Sequence, residues 1–194
     1  MPYIPRLITT GIQGNPYWYS NRNIYYANGW QLPEMTNYCY GRWWECSDLN
    51  KHFENKPTFD IREAYQWFAH TADGYERSQT PQLGAIACFD YANHNIANGL
   101  LAIVEEITND PVMGHIAVCC NGRPDDDDQT KLQQWYIQLP SNEILDVYPY
   151  EWEDAIFQGY IINPITGGSL NPPTIPFKPW ITKQILYRRK NEDG

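Results

Sequence analysis

Positive charge is scarce in this chain. Its 194 residues carry 14 Lys and Arg against 23 Asp and Glu, a formal charge of −9, which repels nucleic-acid phosphates and equally the anionic polymers of a bacterial wall. No run of about 18 apolar residues is present to span a bilayer. The start, Met1-Pro2-Tyr3-Ile4-Pro5-Arg6, lacks the basic and apolar regions of a signal peptide. These absences lead us to expect a soluble protein made in a cytoplasm, with no nucleic-acid partner and no membrane span. Paired cysteines are missing too. Cys39, Cys46, Cys88, Cys119 and Cys120 form an odd set without C-x-x-C spacing, so neither a disulfide framework nor a zinc site is indicated. We expect reduced, buried thiols, no metal and no cofactor.

What is present suffices for one core, since 42% of the residues are hydrophobic and 15% aromatic. Residues 1–32 show little periodicity and read as a looped lead-in. Its Tyr17, Trp18, Tyr19, Tyr25, Tyr26 and Trp30 are costly to leave in water and should pack on the domain that follows, residues 33–164. In that domain Met35, Tyr38, Cys39 and the Arg42/Trp43 pair recur at three- and four-residue spacing, which predicts a helix over 33–46 with Pro33 near its first turn. Gly41 inside it costs about 1 kcal/mol relative to Ala, which close packing against a strand would justify. Asp60 and Glu63 have capping-box spacing before Ala64, Trp67 and Phe68, predicting a second helix that ends near Thr71.

Beyond Pro81 short β-like runs follow one another, at 83–89, 100–107, 115–120, 132–139 and 156–162. Helices first and an antiparallel sheet afterwards make an α+β domain. The loop 93–98 stands out, as does the run Asp125-Asp126-Asp127-Asp128, which lacks the spacing and glycine of a calcium loop and reads as a solvated hairpin tip. After Pro164 the composition shifts to Pro and Gly, so residues 165–194 read as an extended arm. Ile175, Phe177, Trp180, Ile181, Ile185 and Leu186 give that arm an apolar surface, to dock on another subunit or pack back on its own domain.

Several contiguous stretches carry a family resemblance. The run Leu32-Pro33-Glu34-Met35-Thr36-Asn37-Tyr38-Cys39-Tyr40-Gly41-Arg42-Trp43-Trp44-Glu45 resembles the signature of phage-type CHAP (cysteine, histidine-dependent amidohydrolase/peptidase) domains, L-P-N-C-x-x-Y-A-Y/W-G-R-F/W-x-E. Gly14-Asn15-Pro16-Tyr17-Trp18-Tyr19-Ser20, Gln79-Thr80-Pro81-Gln82-Leu83-Gly84-Ala85-Ile86-Ala87-Cys88, residues 99–107 and Phe157-Gln158-Gly159-Tyr160-Ile161-Ile162-Asn163-Pro164 match in the same order. The resemblance covers roughly residues 5–164. It implies a papain-like fold, in which a helix with the nucleophile at its N-terminus packs on an antiparallel sheet whose strand carries the histidine.

The resemblance also implies lost chemistry. Attack on an acyl group needs a thiolate, whose pKa a helix N-terminus and an adjacent imidazole lower. Met35 stands at the nucleophile position, and a thioether has no proton to lose. The family's G-H-V-A-V-V-E-x-I is matched by Gly99-Leu100-Leu101-Ala102-Ile103-Val104-Glu105-Glu106-Ile107, so Leu100 replaces the base. A rival alignment uses Gly114-His115-Ile116-Ala117-Val118, with a relocated Cys39/His115 dyad and Asn121 as the third polar residue. His52, His70 and His94 lie outside the reactive motifs and read as surface or locally bonded side chains. Three roles remain open from the sequence. The first is an inert CHAP-like pseudoenzyme built into a phage particle, at the tail or tail tip. There the 165–194 arm would hold other virion proteins or a second copy of this chain. The others are an active peptidoglycan amidase or endopeptidase using Cys39 and His115, and a soluble host-directed binder or inhibitor that recognises cell-wall fragments.

Overall fold

The computed structural model describes residues 3–48, 52–91, 99–110, 115–124, 130–139, 143–148 and 155–166. The loops 93–98 and 125–128, and nearly all of the 165–194 arm, lie outside the described residues. In chain order come α1 (Ile24–Ala27), α2 (Met35–Ser47), a 3-10 turn (Ala64–Gln66), β1 (Arg77–Ser78), β2 (Ile86–Tyr91), β3 (Leu100–Asp110), β4 (His115–Pro124), β5 (Leu132–Leu139), β6 (Glu143–Tyr148) and β7 (Ala155–Ile161). These strands form one antiparallel sheet in the order β1-β7-β2-β3-β4-β5-β6. The chain is an α+β protein. No helix among the described residues is long and apolar enough to cross a membrane.

Strand β3 lies at the centre of the sheet, and Leu100, Leu101, Ala102, Ile103 and Val104 are each buried. Five consecutive buried residues mean that both faces of the strand are covered there. Helix α2 packs across β3 and β4 and is itself buried along almost its whole length. Away from the sheet its Tyr40, Trp43 and Trp44 meet an aromatic shell. Trp43 lies 5.1 Å from Phe59 and 4.9 Å from Tyr75 between ring centroids, and Trp44 lies 5.5 Å from Tyr17. Two of these pairs, Trp43–Phe59 and Trp44–Tyr17, are edge-to-face, a geometry that adds about 0.5–1.5 kcal/mol each beyond simple burial. The lead-in contributes to the same core, since Ile12, Tyr17, Trp18 and Tyr25 are buried in it.

Gly41 is explained by that shell and not by a strand, which corrects the expectation from sequence. A Cβ on Gly41 would fall 2.4 Å from Trp18 Cδ1. The indole cannot drift away freely, because its Nε1 donates to the Tyr38 carbonyl at 3.0 Å. Pro33 precedes α2, whose N-cap is Glu34, so the helix starts two residues later than its periodicity suggested. The second helix predicted from Asp60 is absent; one 3-10 turn stands in its place, with the capping box on Glu63 and Gln66. Carbonyls that a helix would use are taken by side chains. Tyr25 Oη donates to Asp60 O at 2.9 Å, and Trp67 Nε1 donates to Arg62 O at 3.4 Å. The short α1 and the strands β1 and β6 were not predicted.

A buried ionic cluster fixes α2 on β3. Glu105 is the unpaired residue of a β-bulge, since Val104 pairs with Cys120 and Glu106 with Cys119, and bulges re-aim the side chain they carry. Arg42 Nε and Nη2 donate to the Glu105 carboxylate at 2.9 Å each, and Nη1 donates to Glu45 Oε2 at 2.6 Å. Burial alone pushes the Glu45 carboxyl up, but the Arg6 hydrogen bond and the charges of Arg42 and Arg6 outweigh it and hold Glu45 below the ordinary glutamate range. A depressed folded value contributes stability that is fully present above the unfolded value, about 4.3, and is lost as pH falls through the folded one. We therefore expect Glu45→Gln to lose stability at neutral pH and to show a flatter acid limb below about pH 4. Denaturant midpoints measured across pH 2–7 check this; parallel curves for the two proteins would contradict it. We also expect Gly41→Ala to lower the midpoint, because overpacking costs about 1–3 kcal/mol against a helix-propensity gain of about 1 kcal/mol.

Candidate functional site

The first turn of α2 meets the start of β3, and the two positions that the sequence resemblance assigns to nucleophile and base lie at this junction. Gly84 N donates to Val104 O at 2.8 Å, and Val104 N donates to Ala85 O at 2.9 Å. The polar groups of Val104 thus point away from β4, towards the segment that leads into β2. By the two-residue period of a strand, Leu101 N–H points to the β4 side. There the described β4 pairing reaches only as far as the Ile103–Asn121 pair, so among the described residues no paired β4 residue stands opposite Leu101. Met35 Sδ accepts this N–H at 2.8 Å. A thioether is a weak acceptor, yet a buried N–H without any partner costs about 1–3 kcal/mol.

Hydrocarbon fills the rest of the junction. Met35 is 8% exposed and Leu100 4%. Gly99, at φ +79°, lets β3 begin hard against the 3-10 turn, since a Cβ there would fall 2.5 Å from Tyr65 N. Beside the approach to α2 is a cavity of about 90 Å³, lined by Thr9, Ile12, Gln13, Tyr19, Leu32, Pro33 and Pro124. Within it Tyr19 Oη donates to Gln13 Oε1 at 2.9 Å. Ligand pockets usually measure about 300–1,000 Å³, so this one has room for a small substituent and not for a peptide.

Cys39 lies one helical turn beyond Met35 and is 0% exposed. Burial above all, then the neighbouring Cys88 and Glu105, pushes its thiol well above the usual range. Burial likewise raises the Cys46 thiol, to about 11. Protonated thiols of this kind are poor nucleophiles. The strand register does not bring His115 near Cys39. Met35 lies at Leu101 and Arg42 at Glu105, which places Cys39 between those levels. His115 pairs with Asp110, five residues past Glu105, or about 17 Å farther along the strand. Asn121 pairs with Ile103, close to the level of Cys39. His52 is exposed just beyond α2, and His70 Nε2 is 3.6 Å from Asp60 Oδ2. His94 lies outside the described residues. Among the described residues no cluster of three or more His, Cys, Asp or Glu could hold a metal ion.

Sequence reasoning missed the Arg42–Glu45–Glu105 cluster as a unit. The spacing of Arg42 and Glu45 was a usable signal, because residues three apart on a helix are neighbours. Glu105, 63 residues away, gave no such signal. No family model matches the chain, and neither does any curated protein or solved structure.

Two measurements follow from the junction. Met35→Ala should lower stability by about 2–5 kcal/mol, because it leaves a cavity and strips Leu101 N–H of its acceptor. Met35→Leu should cost about 1 kcal/mol, having lost only the acceptor. A Met35→Leu variant as stable as wild type, read by denaturant unfolding, would show that the sulfur makes no difference. In native protein at neutral pH, Cys39 and Cys88 should resist alkylation and become reactive only on unfolding. Rapid native labelling of Cys39, read by mass spectrometry, would contradict its burial.

Proposed function

We propose that the protein is a catalytically inert CHAP-like pseudoenzyme with a papain-like arrangement, serving as a structural or binding component of a phage particle, at the tail or tail tip. The observation that carries the reading is Met35 Sδ accepting the buried Leu101 N–H. At the point where a wall hydrolase would hold a thiolate against an imidazole, a methylated sulfur is committed to a backbone hydrogen bond beside a buried leucine. Neither group can form an acyl-enzyme or move a proton. Support for the papain-like arrangement comes from the placement of α2, whose first turn abuts the strand that bears the base position.

The retained scaffold and the small cavity favour holding over turnover. The arm supports a role in assembly, because residues 167–194 carry Lys178, Lys183, Arg188, Arg189 and Lys190 against only Glu192 and Asp193. The rest of the chain is strongly acidic by the same count. A cationic, apolar arm on an acidic body suits attachment to another virion protein or to a second copy of this chain. Location in the particle rests on analogy with phage wall hydrolases.

Density-purified particles from an infected culture provide the test. We expect the chain to sediment with them at a fixed copy number and to stay with them through a high-salt wash. Recovery only from the free lysate would remove the structural role.

A further inference from the structure

We propose that the Arg42–Glu45–Glu105 cluster is a docking groove for an extended cationic–aromatic segment, and that residues 3–6 fill it as a detachable strap. The strap is read through its backbone as well as its side chains. Glu105 Oε2 accepts from Arg6 N at 2.8 Å and from Tyr3 Oη at 2.7 Å, while Arg42 Nη2 donates to Ile4 O at 2.8 Å. Glu45 receives Arg6 Nη2 at 2.5 Å and Nε at 3.1 Å, and the Arg6 guanidinium lies 5.3 Å from the Trp18 ring centroid. A tyrosine and an arginine three residues apart are thereby specified. The residue after the tyrosine is free to vary, for Ile4 is 77% exposed.

Three observations make the strap separable from the fold. It pairs with no described strand. It adds nothing to the apolar core, whose first residue is Ile12, and Ile8 beside it is 58% exposed. Its departure takes Arg6 from Glu45 but leaves each carboxylate one cationic partner, because Arg42 keeps Glu45 at 2.6 Å and Glu105 at 2.9 Å. Segments held by polar contacts over a packed scaffold open locally, well below the free energy of global unfolding. The groove so uncovered has two carboxylates against one guanidinium, and it takes an extended segment of the Tyr-x-x-Arg type by backbone and side-chain contacts together.

Hydrogen exchange on the full wild-type chain gives the first reading. The Arg6 amide is expected to exchange at least a hundredfold faster than the amides of residues 100–104. Matching rates would show that the strap opens only with the whole fold and would overturn the proposal. The second reading uses a fluorescent synthetic peptide of residues 1–10. It is expected to bind the full-length Arg6→Ala variant at least tenfold tighter than wild type, whose own strap competes, and an Arg6→Ala peptide is expected not to displace it. Equal binding to both proteins, or none to the variant, would overturn the groove assignment. An Arg6→Ala chain that fails to fold would equally overturn it, because the strap would then be integral to the core.

Discussion

The contact between α2 and β3 sets everything else in this protein. It is pinned at two levels, by a sulfur–amide hydrogen bond at Leu101 and by a guanidinium shared between two carboxylates at Glu105. Seven helical residues separate Met35 from Arg42 and four strand residues separate their partners, or about 10 Å of helix against about 13 Å of strand. Those lengths agree closely enough for the helix to run alongside the strand. Burying three charged groups is costly, and the cluster is tolerable because its oxygens and nitrogens are mutually satisfied. The bulge at Glu105 makes this possible by aiming one extra side chain at the helix.

Much of this was legible in the sequence, for identifiable reasons. β5 falls on the predicted residues, because Leu132, Trp135, Tyr136, Ile137 and Leu139 make 132–139 a short β-like run bounded by turn residues. Helix α2 showed its period, although Glu34 caps it without a side-chain hydrogen bond and the start was set two residues early. A glycine at position 41 of a helix signals a close approach, but its partner is Trp18 from the lead-in, a contact between segments that no local pattern encodes. The second helix failed because Tyr25 and Trp67 take its carbonyls, and hydrogen bonds made across the fold outrank a capping signal.

The candidate site divides in the same way. Chemistry at a single position could be read from residue type alone: a thioether and a leucine lack any dissociable proton. The charged positions needed three dimensions. Arg42, Glu45 and Glu105 all sit inside the stretches that carry the CHAP resemblance, and in the structure they bind one another and the N-terminal strap. These charged residues serve architecture, joining α2, β3 and residues 3–6. Cys39, buried beside Cys88 and Glu105, sits in a setting that favours the neutral thiol.

Turnover on purified bacterial cell walls tests the central claim most directly. Release of soluble peptide or amine ends should stay at the level of a no-protein control for the wild-type chain, and Cys39→Ala should change nothing. Steady digestion by wild type that disappears in Cys39→Ala would contradict the account.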